Sequence, residues 1–284
     1  MNPPRISVAR RRLLAGIGAM ATAPFASAQQ PATRAGAAPG IWHLLVNEAV
    51  TGDTNGFVLT SRYRPLADYL ASQARVKDVM VEPVVDIKSF MALAQAPHKP
   101  ELVFGKSVNQ LAKLVRDHGY QPLVRRAEPY RAAFVVGKDS PIRTLADLAS
   151  ATVIMPDEFA ATSAVARAEL RRQKVSAGKV VHVKYQEMVA MEIKAGLGQV
   201  GVVNPTVAKK WAEEGGRLLA ETQPVVNWSL LASPALAATT VARLREALLA
   251  MNAQPHPALA QIGIKAWAEA GKQDYLELLA YTGE

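Results

Sequence analysis

Residues 130–148 read YRAAFVVGKDSPIRTLADL and hold one complete strand–turn–helix unit. The apolar run at 130–137 predicts a strand, and the following Lys-Asp-Ser-Pro at 138–141 is typical of a turn. Thr144, with Asp147 three residues later, predicts a capping box at a helix start, with Asp in place of the usual Glu. A β-type run that leads into a capped helix predicts an α/β sheet with helices packed on its faces.

The same alternation of strand and helix extends from this segment in both directions. Three strand–helix units precede it, with strands predicted at 41–46 (IWHLLV), 79–85 and 101–104. After it, strands are predicted at 152–155, 180–184, 200–203, 218–222 and 228–232, followed by an amphipathic helix at 234–253 and further helices to the end. We therefore expect an α/β chain of two lobes, each a mixed, mostly parallel sheet flanked by helices.

The N-terminus has the pattern of an export signal. Arg5, Arg10, Arg11 and Arg12 precede an apolar run at 13–25, and the small residues Ala26-Ser27-Ala28 follow. This pattern predicts a signal peptide over residues 1–28, removed before Gln29. The arginines resemble a twin-arginine signal, although Ala9 stands where Ser or Thr is usual, so a general secretory signal stays open. Residues 29–40 are rich in Pro, Ala and Gly and predict a disordered leader.

Composition argues against several function classes. The 284 residues include no cysteine, which excludes a disulfide framework, a thiolate metal site, a cysteine nucleophile and a lipidated cysteine. Five histidines are scattered without ligand spacing, and no HExxH or GxSxG occurs, so we expect no enzyme, no cofactor and no metal. The net charge is +9, and +5 without the four arginines of 1–28, which suits an anionic ligand or an anionic membrane. The basic positions near 167–179 lack interleaved aromatics, so we expect no nucleic-acid partner.

Four segments in this order resemble the phosphate- and phosphonate-type periplasmic binding proteins of ABC transporters. They are 62–70 (RYRPLADYL), 130–148, Thr162-Ser163 after the strand at 152–155, and 196–204 (GLGQVGVVN). The match covers residues 41–252. The resemblance implies a two-lobed Venus-flytrap fold, with lobe 1 at 40–132 plus 229–284 and lobe 2 at 133–228. It implies a monomer in the periplasm that closes on a small anion and delivers it to an ABC permease, touching the membrane only through that partner.

The resemblance also implies where the ligand is held. A helix start offers unpaired N–H groups and a partial positive charge, so hydroxyl residues there surround an oxyanion with donors. The family's Ser-Thr-Ser-Gly run is replaced here by 161–164 (ATSA), which lacks one hydroxyl and the glycine. The ligand residues implied are Thr51, Gly52, Lys106 and Ser107 from lobe 1, Tyr130 and Arg131 at the crossover, and Thr162, Ser163, Gln186 and Asn204 from lobe 2.

Several alternatives stay open at this level. Thr162 could serve only as a helix cap, Lys106 could be solvated, and Arg131 could either clamp an oxyanion or point to solvent. Glu187 is the one acid near Gln186 and Asn204, which favours a ligand without an amine. Phosphonate, phosphate, phosphite, sulfonate and carboxylate ligands all need the same donors. The partner could also be a membrane receptor kinase that recognises the closed form. An enzyme on the same fold is a further alternative, which the sequence favours less.

Overall fold

The computed structural model describes residues 40–48 and 55–284 of the chain, and its strands form two sheets. The strands are β1 (Ile41–Asn47), β2 (Asp78–Pro83), β3 (Leu102–Gly105), β4 (Gln121–Arg126), β5 (Ala133–Val136), β6 (Thr152–Met155), β7 (Lys179–His182), β8 (Val200–Val203), β9 (Arg217–Glu221), β10 (Ser229–Ala232) and β11 (Trp267–Glu269). The helices are α1 (Gly56–Ala74), α2 (Ile87–Ala94), α3 (Val108–Asp117), α4 (Ala161–Arg172), α5 (Gln186–Lys194), α6 (Pro205–Glu213), α7 (Ala238–Ala250), α8 (Pro257–Gln261) and α9 (Lys272–Thr282).

The two sheets have different orders and both are mixed. The first runs β11-β4-β10-β3-β1-β2, with β1 parallel to β2 and β3, and β10 antiparallel to β3 and β4. The second runs β7-β6-β8-β5-β9, with β6 parallel to β7 and β8, and β5 antiparallel to β8 and β9. Helices connect the parallel strands, as parallel pairing requires. The predicted α/β class with two helix-flanked sheets is confirmed.

Two chain segments connect the sheets. One leads from β4 to β5 and the other from β9 to β10, and they pair where Tyr130 and Val225 exchange two backbone hydrogen bonds of 2.9 Å. Strands of the first sheet lie within 41–126 and 229–269, and strands of the second lie within 133–221. The lobe boundaries at 132/133 and 228/229 stay a prediction.

Strand β1 shows why an unbroken apolar run forms a central strand. Successive side chains point to opposite faces of a sheet, so Leu44 and Val46 pack into one core cluster and Leu45 into another. A strand covered on both faces needs apolar residues at every position. The cluster that contains Leu45 also contains Phe134 of β5 and Val165 of α4, so apolar packing continues from the first sheet to the second.

Three local predictions were wrong. The sequence predicts a helix that is capped by Ser61 and runs to about Ala74, but α1 begins five residues earlier, at Gly56, because the Asn55 side chain accepts from the Val58 N–H at 2.9 Å. The helix predicted at 234–253 is α7, which begins only at Ala238 and is followed by a 3₁₀ turn at Met251–Ala253. Strand β11 interrupts the C-terminal region predicted to be wholly helical, because its antiparallel pairing with β4 and the burial of Trp267 outweigh local helical preference.

Some predictions fall on residues outside the described ranges. The signal peptide and all of the predicted leader except Gly40 lie within 1–39, and Thr51 and Gly52 lie within 49–54. Of the helices in residues 40–48 and 55–284, none combines the length and the hydropathy that a membrane span needs.

Candidate functional site

The turn after β3 lies at the centre of the first sheet's carboxyl edge. Lys106 follows β3 directly, and its backbone N–H donates to the carbonyl of Asn47 at the end of β1 at 3.0 Å. Glu48 follows β1 in the same way and is buried. Ligand sites of open α/β sheets form outside the carboxyl ends of the strands, so this edge is where a ligand is expected.

Helix α3 starts at this edge without a side-chain cap. Ser107 precedes the helix and is 1% exposed, and its hydroxyl has no hydrogen-bond partner among the described residues. The side-chain amides of Asn109 and Gln110, in the first turn, donate to the carbonyl of Phe159 at 3.1 and 3.0 Å. Phe159 lies just before α4, so the starts of α3 and α4, one after a strand of each sheet, lie against each other.

Helix α4 carries the two predicted hydroxyl residues at its second and third positions. Its cap position is Ala160, which has no side-chain acceptor, so no side chain of the described residues caps the first-turn N–H groups. The Ser163 hydroxyl donates to the carbonyl of Pro156 at 3.0 Å. Thr162 Oγ1 lies 2.5 Å from the Tyr130 hydroxyl and accepts from Gln186 Nε2 at 2.7 Å. Thr162 is therefore not the helix cap. The hydroxyls of Thr162 and Ser163 are both buried and hydrogen-bonded to other residues of the protein.

Four predicted residues form one connected chain of hydrogen bonds. Tyr130 contacts Thr162, Thr162 contacts Gln186, and Gln186 Oε1 accepts from the backbone N–H of Asn204 at 3.1 Å. The Asn204 side chain in turn accepts from the Val207 N–H at 2.9 Å and caps α6. Burial raises the pKa of Tyr130, so its hydroxyl stays protonated and able to donate. The chain links the crossover segment to the starts of α4, α5 and α6.

A charged cluster surrounds Lys106. Its ammonium lies 3.0 Å from Glu48 Oε2 and 4.1 Å from the centre of the Trp228 ring. Glu48 also accepts from Arg62 at 2.6 Å and from the Tyr63 hydroxyl at 2.8 Å. Burial raises the pKa of Glu48, but the Lys106 and Tyr63 contacts outweigh it and the pKa is lowered. Burial lowers the pKa of Lys106 against the opposing attraction of Glu48. Lys106 is thus a paired, mostly buried cation.

A family model described as "ABC transporter, phosphonate, periplasmic substrate-binding protein" matches residues 49–275. The chain belongs to this family. Its members are substrate-binding proteins and not enzymes, so this chain is a solute-binding component of an ABC transporter, with a small ligand and a permease partner. No curated protein matches the chain in sequence.

Solved structures of low sequence identity share the fold. A Xanthomonas citri protein bound to ATP has a TM-score of 0.72 at 17% identity, covering 86% of this chain and 97% of its own. PhnD1 from Prochlorococcus marinus in complex with methylphosphonate has a TM-score of 0.69 at 15% identity, with coverage of 86% and 97%. A binding protein component of an ABC phosphonate transporter from Pseudomonas aeruginosa has a TM-score of 0.66 at 12% identity, covering 87% of each chain.

Arg131 lies on the segment from β4 to β5 and contacts the segment from β9 to β10. The Arg131 side chain is half-buried. Its guanidinium donates to the carbonyl of Thr222 at 3.1 Å, and this hydrogen bond joins the two segments. An oxyanion clamp by Arg131 stays a prediction, as do the ligand contacts of the other predicted residues.

The sequence interpretation missed the acid and the aromatic ring of the Lys106 cluster. Glu48 immediately follows a buried strand and Trp228 immediately precedes one, and residues at such positions reach the edge of a sheet. That positional signal could have found both residues. Their pairing with Lys106 depends on the strand order, in which β3 lies between β10 and β1.

Other cavities lie away from this edge. One of about 540 Å³ is lined by residues of the α3 end, the β4 start and the α9 start, including Lys272, and by Arg245 of α7. No cluster of metal-ligating side chains occurs within residues 40–48 and 55–284.

Proposed function

We propose that this substrate-binding protein captures a small oxyanion of the phosphonate or phosphate type between its two sheets and delivers it to its permease. The observation that supports this most is the meeting of two helix starts, α3 and α4, neither of which has a side-chain cap. Each start carries about half a positive charge and several N–H donors. The buried hydroxyl of Ser107, which has no hydrogen-bond partner in residues 40–48 and 55–284, adds a donor at the same place.

The ligand class follows from these donors. N–H and hydroxyl groups that converge from two helix starts match a compact group with several acceptor oxygens. The structures bound to methylphosphonate and from a phosphonate transporter support a phosphonate as the leading member of that class. Phosphate, phosphite and sulfonate share the chemistry and belong in the same test.

The cellular setting is part of the proposal. The signal-like residues 1–28 and the family's periplasmic role support export to the periplasm. We propose that the mature protein is a monomer whose contact with the membrane is through the permease alone.

Calorimetric titration of the mature protein, residues 29–284, with methylphosphonate, phosphate, phosphite, a sulfonate and a dicarboxylate tests the ligand class. We expect saturable binding of at least one phosphorus oxyanion. A ligand at about 100 times its dissociation constant also adds roughly 2.7 kcal/mol to the free energy of unfolding, so thermal unfolding provides a second readout. Binding of none of these anions by folded, ligand-free protein would contradict the proposal.

A double variant tests the α4 start. Thr162→Ala with Ser163→Ala should weaken anion binding, because the two hydroxyls hold the first turn of α4 against Tyr130, Gln186 and Pro156, and that turn supplies the N–H donors. The matched control is Thr239→Ala with Thr240→Ala, which removes two hydroxyls from the first turn of α7, away from the sheet edge. Equal affinities of the two double variants would place the anion elsewhere.

A further inference from the structure

The Lys106 ammonium is fixed from two sides at the centre of the first sheet's carboxyl edge. Glu48, after β1, contacts Nζ on one side, and the Trp228 ring, before β10, covers another. These neighbours belong to the two strands that flank β3. The Lys106 side chain is 13% exposed, so it is held in place and is not a solvated surface lysine.

The groups that face Lys106 come from four parts of the first sheet and its helix. Glu48 follows β1, Arg62 and Tyr63 lie on α1, and Arg126 ends β4, where its guanidinium lies 4.7 Å from the same Trp228 ring. Glu128 pairs with Arg126 at 3.0 Å. Within the described part of the chain, three cations therefore face two carboxylates, which leaves a net positive charge beside the start of α3.

Glu48 is buried away from a ligand's ammonium. Its two oxygens already accept from Tyr63, Arg62 and Lys106, and its side chain is 2% exposed. A carboxylate that binds an amino-substituted ligand must have an accessible oxygen. In this chain Lys106, directly before Ser107 at the start of α3, already contacts Glu48 Oε2.

An ammonium has three N–H donors. Glu48 accepts one, and the face of Trp228 attracts the charge as a cation–π contact. We propose that Lys106 binds the anion directly, that Glu48 is a positioning residue which holds Lys106 for this contact, and that the ligand is an oxyanion without an ammonium group. This inference rests on the proposed function and adds a full positive charge to the partial charges of the two helix starts.

The pH dependence of the Glu48→Gln variant tests this arrangement. Gln keeps the shape of Glu48 but removes the charge that supports the protonated form of Lys106. Since burial lowers the pKa of Lys106 and Glu48 is the one acid of residues 40–48 and 55–284 that opposes it, the lysine in the variant loses its proton at a lower pH than in the wild type. Glu48 itself has a lowered pKa and stays ionised from about pH 6 upward, so its own effect on the anion is constant.

The measurement is the dissociation constant of methylphosphonate for E48Q and for wild type from about pH 6 to about pH 10, just below the ordinary lysine pKa of 10.5. The quantity compared is the dissociation constant of E48Q divided by that of wild type, because the ligand's own titration cancels in this ratio. We expect the ratio to rise by about tenfold to a hundredfold across this range, the worth of a charge-assisted hydrogen bond. The matched control is E48Q with Lys106→Arg, whose guanidinium does not titrate, and its ratio to Lys106→Arg alone should stay flat.

The outcomes separate this inference from the proposed function. If wild type binds methylphosphonate but the E48Q ratio stays flat, Lys106 does not contact the anion and this inference alone is overturned. If wild type binds no oxyanion, the proposed function fails and this inference fails with it. Should E48Q not fold, Lys106→Met leaves Glu48 paired with Arg62 and Tyr63, and affinity within about twofold of wild type would equally overturn the inference.

The ammonium part of the inference has its own comparison. Ethylphosphonate and 2-aminoethylphosphonate differ by one amino group. We expect the amino compound to bind wild type no more tightly than ethylphosphonate, because Glu48 is already occupied. Tighter binding of the amino compound by tenfold or more would refute this part.

Discussion

Thr162→Val removes one hydroxyl from the hydrogen-bond chain of lobe 2 with almost no change in shape. In the wild type, Thr162 Oγ1 is the shared partner of the Tyr130 hydroxyl at 2.5 Å and Gln186 Nε2 at 2.7 Å, and all three residues are buried. The variant leaves two buried polar groups unpaired, at a cost of about 1–3 kcal/mol each. We expect a loss of about 3 kcal/mol, or roughly 6 to 12 °C in Tm for a chain of this size.

Thermal unfolding followed by circular dichroism measures this loss, and Ser163→Ala is the matched control. Ser163 lies one position along the same turn and contributes a single hydrogen bond, to the carbonyl of Pro156. Its removal should cost about 1 kcal/mol, clearly less than Thr162→Val. A Thr162→Val variant that unfolds within about 2 °C of wild type would refute the hydrogen-bond chain, since Tyr130 and Gln186 would then have other partners.

Two further predictions concern stability. Burial raises the pKa of Glu169, but hydrogen bonds from Arg172 and other neighbours lower it from 4.5 to about 2, so about 2–3 kcal/mol of stability present above pH 4.5 should be lost as pH falls toward 2. Acid unfolding of Glu169→Gln should lack this loss, and an unchanged profile would contradict the assignment. Gly216→Ala would place a Cβ 2.0 Å from Trp211 Nε1, whereas Gly137→Ala meets nothing within 4 Å. Urea unfolding should show the first strongly destabilised and the second near wild type; equal stabilities would contradict the packing.

Strands β3, β5 and β8 could be predicted from the sequence because their apolar runs are buried along their whole length. The run at 41–46 forms β1, and the Asp147 side chain accepts from the Thr144 N–H, as the predicted capping box requires. Each of these signals is local, since it depends on residues within one turn or one strand.

Features that depend on distant pairing could not be predicted. Strand β11 exists because β4 offers an edge, and its three residues carry no strand signal of their own. The start of α1 was misplaced because the cap at Asn55 and a proline inside the helix, Pro65, both oppose the simple pattern. These elements are fixed by tertiary contacts that outweigh local propensity.

The candidate site likewise contains residues that the sequence identified and a contact that it could not predict. The family resemblance implied Tyr130, Thr162, Gln186 and Asn204 as ligand residues, and the structure brings them into one hydrogen-bond chain. Glu48 and Lys106 are 58 positions apart and become neighbours only because β1 and β3 pair. Strand order is a property of the whole fold, so no local pattern shows this contact.

A crystal structure of the mature protein with methylphosphonate tests the central claim most directly. The account predicts the phosphonate oxygens between the starts of α3 and α4, within hydrogen-bond distance of Ser107, Lys106 and the first-turn N–H groups of α4. Methylphosphonate bound only elsewhere, for example in the cavity lined by Arg245 and Lys272, would contradict it.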